Sequence, residues 1–251
     1  MDGTLVSFKT HAVPASAREA IGRLREKGVK VIISTGRAFG DIGDLGGLEF
    51  DGYITSNGSC CMDSRGNVIA RHLLSKESLR RLAVELKERP FPCEFTTSRG
   101  SFTNCAGDTV LHVHQLVNLP VPPVKDVSEM VEEEVLQLSA FVDPEREREL
   151  LKRVLMDCES SRWHPDFADF NVRGMNKATG MEVFTDYFGM DNGGTVAFGD
   201  GGNDIPMLTH AAIGVAMGNA GDDVKAAANY VTDPVDEDGV MNALRYFGIL
   251  P

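Results

Sequence analysis

Apolar positions recur at helical spacing between Pro14 and Gly28, where Ala17, Ile21 and Leu24 fall on one stripe, Pro14 suits a first helical turn and Gly28 a stop. The run from Val29 to Ser34 is nearly all apolar and reads as a buried strand. A second strand follows at Tyr53-Ile54-Thr55. The same rhythm resumes at Lys177, with a helix to Phe188, a strand from Thr195 to Phe198, a helix from Asp204 to His210 and a strand from Ile213 to Met217. A helix from Asp222 to Ala228, a strand at Tyr230-Val231 and a closing helix near Val240 to Phe247 complete it. Strands alternating with helices imply right-handed crossovers, so this part of the chain is expected to form an α/β, doubly wound parallel sheet covered on both faces.

The middle of the chain has a different pattern. Cys60 to Met62 and Val68 to Ala70 flank Asp63-Ser64-Arg65-Gly66-Asn67, which predicts a hairpin with turn residues at its tip. Leu79, Leu82, Ala83 and Leu86 mark a helix ending before Pro90. Short strands are expected at Cys93 to Thr97, Ser101 to Cys105, Val135 to Val142 and Phe167 to Val172, with a helix from Pro144 to Met156. This is an α+β insert, placed at about 75–173. A Rossmann-like core is then built from 1–74 and 174–251, and the Pro-rich Leu119-Pro120-Val121-Pro122-Pro123 is a loop inside the insert.

Charge narrows the function. Over 251 residues, 25 Lys and Arg stand against 37 Asp and Glu, a net charge of −12 that argues against nucleic acid as a partner. No apolar run approaches ~18 residues and no leader pattern opens the chain, so no membrane partner and a cytoplasmic location are expected. Five cysteines at 60, 61, 93, 105 and 158 show no paired C-x-x-C spacing, which favours reduced thiols. The vicinal Cys60-Cys61 reads as a buried pair beside a strand. His112 and His114 have strand spacing and would share a face, but without a third ligand they read as surface histidines. Trp163, the one tryptophan, offers a stacking face for a sugar ring or packs within the insert.

The strongest chemical signal is Val196-Ala197-Phe198-Gly199-Asp200-Gly201-Gly202-Asn203-Asp204, a strand running into two carboxylates four residues apart on a glycine-rich turn. Oxygen ligands there suit Mg²⁺, which is usually held by one or two carboxylates plus substrate phosphate. A calcium loop fits worse, since Gly202 stands where a third-position oxygen is needed. Met1-Asp2-Gly3-Thr4 puts another carboxylate before a glycine turn, and Val31 to Ser34 ends in Thr35-Gly36-Arg37. Lys177 begins a helix, where the dipole disfavours a cation, so its position favours a functional role.

Taken in order, Asp2-Gly3-Thr4, Ser34-Thr35-Gly36-Arg37, Lys177 and Gly199-Asp200-Gly201-Gly202-Asn203-Asp204 resemble the four motifs of the haloacid dehalogenase superfamily. The insert and Ser56-Asn57-Gly58 resemble its Cof-type sugar phosphatases, with the insert as a large cap. The resemblance implies a Mg²⁺-dependent phosphatase acting on small phosphorylated metabolites, sugar phosphates above all, through an aspartyl phosphate. Asp2 would be general acid and base, Thr35, Gly36 and Lys177 would contact phosphate, and Asn57 and Asn203 would contact phosphate or the site's carboxylates. The Asp2 carbonyl, Asp200 and Asp204 would hold the metal, and Arg37 would pair with acidic groups around the site. The family motif begins with a nucleophilic Asp two residues before Asp2, so that Asp and the apolar strand carrying it are expected upstream of Met1. Two rivals share these residues: a phosphomutase, and a non-catalytic phosphate or Mg²⁺ binder.

Overall fold

The computed structural model describes residues 1–251. The chain opens in a tight loop in which the Met1 carbonyl accepts from the Thr4, Leu5 and Val6 amides. Gly3 takes φ +74° there, and a Cβ on it would stand 2.1 Å from an Asp200 carboxylate oxygen. Helix α1 (Ala15–Glu26) buries Ala17, Ala20, Ile21 and Leu24. It leads to β1 (Ile32–Ser34), which is shorter than its apolar run because only these residues pair and Val29 is exposed. Strand β2 (Gly52–Thr55) lies parallel to β1, and the hairpin β3 (Cys60–Asp63), β4 (Val68–Arg71) extends the sheet antiparallel.

Next come α2 (Lys76–Glu88), β5 (Cys93–Thr97), β6 (Gly100–Thr103), α3 (Asp108–Leu116), α4 (Val127–Met130), β7 (Val135–Ala140), α5 (Pro144–Arg153), β8 (Cys158–His164) and β9 (Phe167–Val172). Their strands form one antiparallel sheet in the order β6-β5-β7-β9-β8. One face is apolar: Phe95, Leu138, Ala140, Ala168 and Phe170 pack under α2 and α5 in a cluster with Leu79, Leu82 and Leu150. Burying each such leucine is worth about 2 kcal/mol. Residues of the opposite parity, Glu94, Thr96, Gln137, Ser139, Asp169 and Asn171, are polar and turn away from that cluster, as alternation along a strand requires.

The chain closes with α6 (Lys177–Phe188), β10 (Val196–Gly199), α7 (Ile205–His210), β11 (Ile213–Ala216), α8 (Asp222–Ala227), β12 (Tyr230–Val231) and α9 (Gly239–Tyr246). Strands β10, β11 and β12 are parallel neighbours. The parallel core is thus two sheets, with β1 and β10 each at an end. The opening loop touches both: Met1, Leu5 and Val6 cluster with Ile33 of β1, and Thr4 hydrogen-bonds Asp200 at the end of β10. The mixed α/β architecture is the expected one.

Two expectations fail in the polar sheet. Residues 108–116 form helix α3, not a strand, because Val110 and Val113, three apart, both bury while Leu111 and His112 stay exposed. Strand β8 was not expected at all. Its sequence Cys-Glu-Ser-Ser-Arg-Trp-His lacks apolar alternation, and pairing with β9 holds it in place.

Candidate active site

Of the expected site residues Asp2, Thr35, Gly36, Asn57, Lys177, Asp200, Asn203 and Asp204, all but Asn57 line one cavity of about 680 Å³ between the parallel core and the polar sheet face. Strand β10 ends at Gly199, and the following turn folds Asp204 back so that its Oδ2 accepts from the Asp200 and Gly201 amides at 2.9 and 3.0 Å. Its Oδ1 accepts from Lys177 Nζ at 2.6 Å, in an ion pair whose side chains are 3% and 4% exposed. Asn176 caps α6 by accepting from the Ala178 and Thr179 amides, which places Lys177 at the helix start pointing at this turn. Burial pulls the Asp204 carboxyl upward, but Lys177 and the amide hydrogen bonds hold it below its ordinary 3.8.

Asp200 has the opposite balance. Burial, then the neighbouring Asp204 charge, push its carboxyl up to about 6, and only the Thr4 hydroxyl donates to it, at 2.5 Å. A crowded carboxylate beside a second carboxylate, with one oxygen lacking any protein donor, is a donor set for a hard cation. These oxygens fit Mg²⁺. The Asp2 carbonyl accepts no backbone hydrogen bond and is a further oxygen donor.

The Asp2 carboxylate is clamped by Arg37, whose Nε and Nη2 donate at 2.9 and 2.6 Å. The same guanidinium donates to the carbonyls of Asp41 and Val117 and so ties Asp2 to the end of α3. The pairing of Arg37 with an acidic site residue is as expected. Thr35 is buried at the end of β1, with its hydroxyl oxygen accepting from the Arg37 amide. Gly36 leaves room for Asn57, whose amide would lie 3.2 Å from a Cβ there.

Asn57 itself stands apart. It sits in a turn with φ +53°, and its side chain is wholly engaged: Nδ2 donates to Gln137 and Asp169 at 3.0 Å each, and Oδ1 accepts from Asn203. Asn203 does line the cavity. Gly58 follows at φ +99°, where a Cβ would meet the Asn176 carbonyl at 2.0 Å, so that turn fits only glycine. Asn171 and Gln137 of the polar sheet also donate to the Ser56 and Gly36 carbonyls. These sheet residues were absent from the sequence-based set, although Asp169 and Asn171 alternating with Ala168 and Phe170 carry the signal.

The histidines part company. On α3, His114 is buried and pairs with Glu94 through Nε2 at 2.9 Å, whereas His112 turns toward His164, with ring centroids 6.2 Å apart. His112, His164 and Asp166 bring their ligand atoms within 4.8 Å of one another, so His112 has neighbours that sequence spacing did not supply. Trp163 packs edge-on against Phe167 at 5.1 Å while also lining the cavity. Cys60 and Cys61 are buried as expected, and burial pushes the Cys61 thiol up to about 12. No helix is long and apolar enough to cross a membrane.

A family model described as haloacid dehalogenase-like hydrolase matches residues 1–244. The 5-amino-6-(5-phospho-D-ribitylamino)uracil phosphatase YcsE of Bacillus subtilis is 30% identical over 254 residues, covering 98% of this chain and 93% of the relative. Among solved structures, the sugar phosphatase BT4131 of HAD subclass IIB superposes with a TM-score of 0.93 at 40% identity, covering 100% of this chain and 97% of the other. The phosphatase BT1666 from Bacteroides thetaiotaomicron superposes at 0.91 with 41% identity, covering 100% and 93%.

Proposed function

The chain belongs to the haloacid dehalogenase-like hydrolases and is a phosphatase of that family, and within it we propose a Mg²⁺-dependent hydrolase of small sugar phosphates that works through an aspartyl phosphate. The observation that carries this reading is the convergence on one cavity of Asp2, Thr35, Lys177, Asp200 and Asp204. Likeness to the sugar phosphatase BT4131 supports the substrate class. Residues 75–173 act as the cap.

The motif register puts the attacking aspartate immediately before Met1. Met1 is itself buried and lines the cavity. A carboxylate oxygen there attacks phosphorus, the ester P–O bond breaks, and Asp2 gives its proton to the departing alkoxide. Asp2 then takes a proton from water, whose oxygen attacks phosphorus, breaking the P–O bond to the aspartate and releasing phosphate. Arg37 orients Asp2 through both carboxylate oxygens, and one must leave that clamp to carry the proton. Thr35 donates its hydroxyl to a phosphoryl oxygen, and Lys177, ion-paired with Asp204, faces the charge that builds on the phosphoryl group. The Asp2 carbonyl, Asp200 and Asp204, together with the attacking aspartate, would hold Mg²⁺, which would supply charge neutralisation to the phosphate. Asn57 and Gln137 keep the cap seated while water is excluded.

The test is an acid quench of the natural chain during turnover of a sugar phosphate, followed by intact mass and peptide mapping. One added phosphoryl group on the aspartate preceding Met1 is expected. Steady turnover with no protein-bound phosphoryl group would refute the intermediate.

A further inference from the structure

The cavity wall opposite the phosphate site is built from acceptors. Glu94 stands across from Ser139 in the β5–β7 ladder, and Ser139 across from Asp169 in the β7–β9 ladder, so the three form one row across the sheet. All three line the cavity, together with Asp41. Asp169 is satisfied, since Ser139 and Asn57 donate to its two oxygens. Glu94 is not: His114 donates to one oxygen, and the other has no partner.

His114 is the one side chain that hydrogen-bonds Glu94. The ring is only 7% exposed, lines the cavity, and has its Nδ1 buried without a partner. Its Nε2 is the nitrogen that meets Glu94, so the ring engages one carboxylate oxygen and leaves the other without a partner. Burial, then the Glu94 charge, raise the carboxyl of nearby Asp41, which marks the wall as a region of negative potential. Each Lys and Arg lining the cavity is already paired, Lys177 with Asp204. Arg37 is clamped to Asp2, and Arg99, 78% exposed, pairs with Glu133 at 2.8 Å.

We propose that Glu94 is the specificity-determining residue at the end of the cavity away from the phosphate, accepting a hydrogen bond from a hydroxyl or ammonium of the substrate. The inference rests on the phosphatase reading and narrows it: the site takes neutral or amino-bearing sugar phosphates and turns away esters with a second anionic group. A sugar bisphosphate, which a phosphomutase must hold, is disfavoured by the same wall.

Competition kinetics on the full-length chain with Mg²⁺, in which inorganic phosphate, glucose 6-phosphate, glucosamine 6-phosphate and 6-phosphogluconate each compete with a chromogenic phosphate ester so that an inhibition constant reports binding, tests it. The first two sugars should bind at least about tenfold more tightly than the sugar acid, as expected for a charge-assisted hydrogen bond exchanged for repulsion. Glu94→Gln should cut that ratio by about tenfold, and Glu94→Asp should restore most of it. Equal or tighter binding of 6-phosphogluconate by the unaltered protein overturns the inference without need of any variant. A well-folded Glu94→Gln protein that keeps the full ratio also overturns it. Failure of every probe to bind, inorganic phosphate included, overturns the phosphatase reading itself.

Discussion

Asp169 gives a quantitative test of the interface between the polar sheet and the core. Its carboxyl is 2% exposed, and burial, ahead of every other influence, pushes it up to about 6 despite hydrogen bonds from Ser139 at 2.6 Å and Asn57 at 3.0 Å. The ordinary value is 3.8, so between these limits the folded protein holds a proton that the unfolded chain has released. Stability is therefore greatest below 3.8 and falls as pH rises through about 6. The gap, a little over two pH units, amounts to on the order of 3 kcal/mol at pH 7.5 and about 1 kcal/mol at pH 4.5. Asp169→Asn removes the charge while keeping an oxygen toward Asn57 and an amide toward the Ser139 hydroxyl, which can turn to accept. The variant should be more stable than the parent by up to about 3 kcal/mol at pH 7.5, an advantage that shrinks to about 1 kcal/mol at pH 4.5. Urea unfolding of both proteins at the two pH values measures this. A difference that does not change with pH, or a variant less stable at pH 7.5, would refute the argument that burial dominates this carboxylate.

Two further outcomes follow from burial elsewhere. Lys177→Met strands the Asp204 carboxylate among buried groups and should cost about 3–5 kcal/mol, while adding Asp204→Asn should recover part of that loss in urea unfolding; a cost under about 1 kcal/mol would show the pair to be solvated. Of the five cysteines only Cys105 is exposed, so a thiol reagent on native protein should label one site quickly and the other four only after denaturation; fast labelling of Cys60 or Cys61 would contradict their burial.

The alternating part of the chain was legible because its strands are buried on both faces and its helices carry one apolar stripe, so local pattern and final environment agree. The gathering of these residues at one cavity was legible for the same reason: Thr35, Asp200 and Lys177 sit at the ends of such elements, where the chain must turn. What escaped were features made by distant partners. Strand β8 is polar along its length and exists through its ladder with β9. In α3, the alternation of Val110, His112 and His114 mimics a strand, and the helical spacing of Val110 and Val113 decides the matter only once a surface is present to bury them. Asn57 was expected on phosphate or a site carboxylate, and the carboxylate its amide reaches is Asp169, 112 residues away, a partner no local pattern encodes. Glu94 and His114 are likewise joined only by the fold.

The central claim, a Mg²⁺-dependent phosphatase centred on Asp200, is tested most directly by sugar-phosphate hydrolysis by the protein and its Asp200→Asn variant across a Mg²⁺ titration, with metal affinity measured alongside by calorimetry. Hydrolysis should vanish on chelation and return with Mg²⁺ in the parent. The variant should bind Mg²⁺ more weakly and turn over at least about a hundredfold more slowly, in line with losing a charge-stabilising group. Undiminished hydrolysis by Asp200→Asn at limiting Mg²⁺ would contradict the account.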